Sequence, residues 1–307
     1  MSDPQSPAPA TAAAYRYLPA HLADRLTALS VSARRAMAGG MQGLHRSNRH
    51  GASVEFAEYR PYIAGDPPSL IDWRAFARTD RHLVKRYEEE TNLTGFVCLD
   101  CSSSLDWSGG TPGAVASAGQ RKFDYACTLA AAALYLLVSQ GDRAGLLWFD
   151  AKVRGRMAPA GSPAALRPLL LALEGISPTD KGDIATALHA AAATLPRRSL
   201  VIVISDLLQD PAAVIGGLQH LHHDGHDVRV LHVVDRAEMT LPGTGLVEAV
   251  DRETGSRVEV EIDELRENYK IAVANHLNAL RRGCQGLPAD YRLATTDTLV
   301  EEALRWR

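Results

Sequence analysis

The sequence is short of several things, and each shortage removes a class of function. Positive charge does not exceed negative: 33 Lys and Arg stand against 36 Asp and Glu, a net charge of −3. That balance gives no electrostatic case for nucleic acid. Long apolar runs are missing too. The longest, Ala126 to Val138, is interrupted by Thr128 and Tyr135 and flanked by Asp124 and Asp142, short of the ~20 residues of a membrane span. The N-terminus shows no basic-then-apolar leader, so no membrane span and a cytoplasmic location are expected. There is no G-x-x-x-x-G-K-[ST] and no strand-borne G-x-G-x-x-G, so ATP is not an expected ligand.

Cysteine is scarce: Cys98, Cys101, Cys127 and Cys284 are the four present. Cys98 and Cys101 form a C-x-x-C, but Cys98 falls inside an apolar run and no second pair exists. Buried small hydrophobes are expected rather than a redox or zinc site. His220, His222, His223 and His226 cluster near a helix end without an H-E-x-x-H. Such residues suit a helix C-terminus for dipole reasons, and no zinc is expected there.

What is present is an ordinary globular composition, 46% hydrophobic and 22% charged over 307 residues, enough for one large α/β domain or two smaller ones. Residues 1–14 are mostly Ala, Pro, Ser and Thr and read as a tail. Residues 15–92 read as a helical segment, with apolar residues at helical spacing up to about Met41, and then a small β-rich module. In that module Val54 to Tyr59 and Leu83 to Tyr87 alternate like strands, with a short helix between them over Ser69 to Phe76. Its His45, Ser47, Glu55 and Asp72 look catalytic in composition. Without a nucleophile elbow or metal-ligand spacing they read better as a hydrogen-bonded network, with Phe56, Tyr62 and Trp73 as apolar anchors.

From residue 93 to 307 the rhythm is strand–helix–strand. Strands are expected at 95–100, 143–149, 199–205, 227–234 and 290–294. Helices are expected at 121–139, 163–174, 184–194, 211–223, 263–282 and 297–305. Continuous apolar strands alternating with amphipathic helices predict a mainly parallel α/β sheet covered on both faces. A hairpin is inserted at about 245–262.

The richest motif is Asp100-Cys101-Ser102-Ser103-Ser104, which follows the apolar run Thr94 to Leu99. A carboxylate at a strand end, with hydroxyls two and four residues on, can aim three oxygens at one point. Hard divalent cations take such ligands. Asp206 ends the run Leu200 to Ser205 in the same way, and two such strand ends converge if the strands are neighbours. Lys181-Gly182-Asp183 could approach from the side, with Asp183 a further oxygen donor. The bland alternative is that Asp100 and Asp206 simply cap helices. Lys122 and Asp124 could reach the rim of the site, although a solvated helix start is the commoner role for such residues.

The Asp-x-Ser-x-Ser loop resembles the metal-dependent adhesion site of von Willebrand factor A (VWA) domains. Over nearly its full length, from about Leu18 to Arg307, the chain resembles the domain-of-unknown-function 58 (DUF58) family, which carries a VWA-like domain. The most specific matches precede the metal loop: Gly43-Leu44-His45-Arg46-Ser47, Gly51, Glu55-Phe56, Tyr59-Arg60-Pro61-Tyr62, Gly65-Asp66, Ile71-Asp72-Trp73-Arg74 and Ala77-Arg78. The pattern departs where a threonine hydroxyl is wanted, at Gly182, with Asp183, Thr179 and Thr186 as substitutes. The resemblance implies a Mg²⁺ or other divalent ion on Asp100, Ser102, Ser104 and Asp206, and a non-enzymatic interaction module. It also implies partnership with a MoxR-type AAA+ ATPase and an unknown client protein. The alternatives are a metal-dependent hydrolase using the Asp100/Asp206 crevice, or a structural subunit with a degenerate site.

Overall fold

The computed structural model describes residues 15–27, 54–62, 71–89, 93–107, 121–179, 181–250, 256–287 and 289–306. The expected tail, the motifs at Gly43–Ser47, Gly51 and Gly65-Asp66, and the hairpin turn at 251–255 lie outside these residues. The described parts fall into two units, one formed by residues up to 40 with 93–307, the other by 41–92. The described residues 15–27, grouped with the β-rich module by the sequence, therefore belong to the larger unit. The reason is burial: Tyr17, Leu18, Leu22 and Leu26 sit in its core, the last two on a helix α1 over residues 20–27.

In the smaller unit, β1 (Val54–Pro61) pairs antiparallel with β2 (Leu83–Glu89), with a register shift between Phe56 and Glu58. Between them lies α2 (Trp73–Thr79), which starts later than the expected helix because Asp72 is its N-cap. The Asp72 carboxylate accepts from the backbone N–H groups of Arg74 and Ala75 at 2.9 and 3.2 Å. It has a structural role, as caps do. Trp73 is 57% exposed, so it is not the buried anchor expected of it. Its ring meets Phe76 and His82 edge-on instead.

The larger unit is built on β3 (Thr94–Asp100), β4 (Arg143–Phe149), β5 (Val153–Ala160), β6 (Leu200–Ser205), β7 (Asp227–Val234) and, beyond the inserted hairpin, a final strand at Ala289–Thr295. Between the strands run α3 (Lys122–Ser139), α4 (Pro163–Glu174), α5 (Ile184–Thr194), α6 (Pro211–His223) and the short α7 (Arg236–Thr240). The hairpin β8 (Leu246–Val250) and β9 (Arg257–Glu261) then leads to α8 (Ile262–Gln285), strand β10 (Ala289–Thr295) and α9 (Val300–Ala303). Strand order is β10-β7-β6-β3-β4-β5. All neighbours are parallel except β4 and β5.

The apolar runs become strands because both faces are covered. Val97 and Leu99 of β3 and Ile202 and Ile204 of β6 join α1, α3 and α4 in one core. Phe96, Cys98, Val201 and Val203 join α5, α6 and α8 in the other. Helix α3 is apolar along 18 residues, but 78% of it is buried within the fold, as befits a core helix. Leu129 and Leu134 there are fully buried, and truncating either to Ala would cost about 2–5 kcal/mol. All four cysteines are free and buried, as expected.

Strand β5 and the short α7 were not expected from the sequence. Strand β5 alternates half-buried and exposed residues and carries Arg154, Gly155, Arg156 and Pro159, a composition suited to an edge. It forms because β4 offers a free edge and Gly155 lies flat on Trp148, where a Cβ would come within 2.1 Å of the ring. The segment expected as a helix over 297–305 is helical only at Val300–Ala303.

Candidate metal-binding crevice

β3 has β4 on one side and β6 on the other, although β6 comes later in the chain. That makes the carboxyl ends of β3 and β6 a topological switch point, where open α/β sheets place their ligands. In register, Leu99 faces Ile204, so Asp100 and Asp206 emerge side by side. Both are almost fully buried, at 4% and 2% exposure.

The Asp100 carboxylate is held at both oxygens. Oδ1 accepts from the Ser102 N–H at 2.8 Å and Oδ2 from the Ser205 hydroxyl at 2.6 Å. The Ser205 oxygen in turn accepts from the Leu207 N–H, in a turn where Leu207 has φ of 50°. The Ser102 and Ser104 hydroxyls lie 3.0 Å apart. The structure thus brings Asp100, Ser102, Ser104 and Asp206 to one place. Neither aspartate caps α6, which is capped by Asp210.

Asp183 stands apart from this set. It is the N-cap of α5, with its two oxygens on the Thr186 N–H and hydroxyl at 3.0 and 2.7 Å. The substitution at Gly182 also has a reason: a Cβ there would lie 2.8 Å from the Ser102 Cβ. The loop presses on Ser102 so closely that a threonine does not fit. Its position is fixed from the far side by Gln209, whose amide donates to the Gly182 carbonyl at 3.1 Å. Thr179 cannot substitute either, because its hydroxyl is bound to Asp150 at 2.6 Å.

Asp150 shows a regularity that the sequence reading missed. Strands β4, β3, β6 and β7 are neighbours, and each is followed or closed by an aspartate: Asp150, Asp100, Asp206 and Asp235. All are buried, yet each is compensated differently. Asp150 pairs with the Arg154 guanidinium. Burial works against its charge, but hydrogen bonds from Thr179, Lys152 and Arg154 win and hold its carboxyl below the usual range. Asp235 caps α7 in a capping box with Glu238 and accepts from Thr296. Asp206 pairs with Lys122. Neither Asp235 nor Asp100 has a cationic side chain on it among the described residues, but Asp235 caps a helix whereas Asp100 lies beside the Asp206 carboxylate. Burial, then the Asp206 charge, push the Asp100 carboxyl up to about 7 despite the hydrogen bonds it accepts.

Lys122, which the sequence allowed at the rim of the site but favoured as a solvated helix start, is instead buried within it. It opens α3 with no exposed surface, its Nζ donating to Asp206 Oδ2 at 2.9 Å and Glu238 Oε1 at 2.6 Å. Burial opposes its charge, but the two carboxylates outweigh that and its pKa is raised. Asp124 turns the other way, to the hydroxyl of Tyr17 and the guanidinia of Arg16 and Arg121. Behind Asp206, His232 is fully buried, bonded to the Tyr291 hydroxyl at 2.7 Å, and kept neutral by burial with a pKa of about 4.

The donor set fits a hard cation: two close hydroxyls, an uncompensated buried carboxylate, and an Asp206 oxygen, Oδ1, that no hydrogen bond occupies among the described residues. No group of three or more His, Cys, Asp or Glu among those residues is arranged to hold a metal. Any ion here would therefore depend on hydroxyl ligands. The histidines do not form a metal cluster: His220 pairs with His189, Nδ1 to Nδ1 at 2.9 Å, and His226 accepts from the Ser199 N–H.

The profile of the family described as "Protein of unknown function DUF58" matches residues 58–279. The chain belongs to the DUF58 family. An uncharacterized protein of Mycobacterium tuberculosis is 28% identical to this DUF58 protein over 281 residues, covering 90% of this chain and 85% of the relative. A second uncharacterized protein, from Mycobacterium avium, is 32% identical over 123 residues, or 38% of this chain and 69% of its own. Among solved structures, the conserved hypothetical protein BatB from Bacteroides thetaiotaomicron shares 16% identity at a TM-score of 0.46, covering 69% of this chain and 95% of that one. The SpRpn10 VWA domain shares 8% at a TM-score of 0.40, covering 70% and 94%. Likenesses at that level carry no functional weight. The neighbouring of β3 and β6 is nonetheless the VWA-like α/β topology that the sequence resemblance implied.

Proposed function

We propose that this DUF58 protein is a non-enzymatic, cytoplasmic interaction module that binds a partner through a divalent cation, Mg²⁺ by preference, in the Asp100/Asp206 crevice. The observation that carries this reading is the uncompensated Asp100 carboxylate, buried beside the Ser102 and Ser104 hydroxyls and facing Asp206. Keeping such a carboxylate ionised and buried is costly unless it is paired or coordinates a metal, and without either it drifts toward the protonated form. Asp100, Ser102, Ser104 and Asp206 would hold the ion, and Asp183 would not. An ion held there would supply the positive charge that a Glu or Asp of another protein binds, as the family resemblance implies. The family resemblance points to a MoxR-type AAA+ ATPase as that partner, with this chain presenting client proteins to it.

The test is capture of the cognate ATPase by the tagged protein with Mg²⁺ and with EDTA, using Asp100→Ala and Ser102→Ala as controls. Capture lost in EDTA and in both variants is expected. Equal capture in every arm would overturn the metal-gated reading. A second reading is favoured by Lys122, whose ammonium already compensates Asp206: the crevice would then be a structural site that takes no ion. Calorimetric titration of Mg²⁺ separates the two, since only the first gives a saturable heat.

A further inference from the structure

Lys122 is difficult to explain as packing. An ammonium is costly to bury, and a lysine at the first turn of a helix ordinarily reaches solvent. Here it has no exposed surface and is drawn to the one crevice where an ion is wanted. Its second partner, Glu238, is itself immobilised. Glu238 Oε2 accepts from the Asp235 N–H at 2.9 Å within the capping box of α7, and its backbone carbonyl accepts from the Tyr269 hydroxyl at 2.6 Å. Glu238 therefore works as a fixed post that keeps the ammonium beside Asp206.

The division of contacts on Asp206 matters most. Oδ2 takes the ammonium, while Oδ1 takes no hydrogen bond among the described residues. A divalent ion drawing on Asp206 would meet a carboxylate already half neutralised, and would sit close to a fixed positive charge. In so buried a place, like-charge repulsion between ammonium and ion is screened little.

We propose that Lys122 is a tethered counter-cation that competes with the divalent ion for Asp206 and so sets the affinity of the crevice for metal. This rests on the metal reading given above, and it adds what that reading lacks: a device within the chain that keeps binding weak and reversible. Without an ion, Lys122 bridges Asp206 and Glu238. With an ion on Asp206, Glu238 alone retains the ammonium. Removing the ammonium should tighten metal binding, and removing Glu238, which shares it, should weaken metal binding by giving Asp206 a larger claim on Lys122.

The experiment is titration calorimetry of MgCl₂ and MnCl₂ into the EDTA-stripped full chain as wild type, Lys122→Met and Glu238→Gln, with thermal melts of each in EDTA and in metal. Lys122→Met should bind at least tenfold more tightly than wild type, and Glu238→Gln at least threefold more weakly. If Lys122→Met folds only when metal is added, its larger metal-induced rise in melting temperature reads the same preference. Equal affinities in all three proteins would overturn the role of Lys122 and leave the metal site standing. Binding by Lys122→Met but not by wild type would uphold the competition and overturn metal gating in the natural chain. No binding by any protein would overturn both.

Discussion

Asp100 and Asp150 end adjacent parallel strands, lie in register one position apart, and both have little exposed surface, yet their carboxyls are driven in opposite directions. Asp150 has the Arg154 guanidinium and the Thr179 hydroxyl and is held low. Asp100 has hydroxyl and N–H donors, a carboxylate neighbour and no guanidinium, and is pushed up to about 7. Part of the difference is depth, since burial weighs most heavily on Asp100, and part lies in what reaches each carboxylate. Two residues of β5, an edge strand, decide that Asp150 is structural: Val153 pairs with β4, and Arg154 turns back over the strand end. No guanidinium covers Asp100 among the described residues, and that is the ground for placing the proposed ion there rather than at Asp150.

The comparison can be broken most forcefully at Lys122. Lys122→Met leaves Asp206 and Glu238 without their shared cation, and such a loss in a buried network should cost about 4 kcal/mol in EDTA. Urea unfolding with EDTA and with Mg²⁺ reads this, and part of the loss should be recovered in Mg²⁺. Arg154→Met should make Asp150 resemble Asp100. It should cost less, about 2 kcal/mol, because the guanidinium is 32% exposed and such pairs are partly screened. Recovery by Mg²⁺ is not expected there, because the hydroxyl beside Asp150 among the described residues is that of Thr179, already donated to it. Gly182→Thr, which would supply the hydroxyl of the VWA pattern, should instead destabilise by about 1–2 kcal/mol through collision with Ser102 and weaken rather than restore metal binding.

The smallest effect concerns acid. Because the Asp150 carboxyl is held below its ordinary value of 3.8, its contribution is complete above the unfolded-chain pKa and is lost as pH falls through the folded one. The stability gap between wild type and Asp150→Asn should therefore be constant from pH 7 to about pH 5 and close as pH falls below about 4. A gap that widened in acid would reverse the sign assigned to this pair.

Much of this was readable in the chain, for physical reasons. Strands covered on both faces are apolar nearly throughout, so β3, β4 and β6 announce themselves. Strand β7 and the edge strand β10 carry polar residues and are read from the strand–helix rhythm. Asp100, Ser102, Ser104 and Asp206 are local patterns at strand ends. Tertiary pairings are different. Lys122 lies 84 residues from Asp206 and 116 from Glu238, and its local sequence is that of any solvated helix start. Asp183 looked like a ligand by position, but its own helix claims both oxygens. Asp150 was available to the same rule that found Asp206, since it too follows an apolar strand directly. Strand β5 was not, because its arginines, glycine and proline make an edge only once β4 is beside it.

The central claim is that the Asp100 carboxylate, set beside the Ser102 and Ser104 hydroxyls and Asp206, makes this crevice a divalent-cation site. Its most direct test is calorimetric titration of Mg²⁺ into the EDTA-stripped wild type, Asp100→Asn and Asp150→Asn proteins. One saturable site is predicted in wild type and in Asp150→Asn, and none in Asp100→Asn. No heat from the wild type, or the same isotherm from Asp100→Asn, would contradict it.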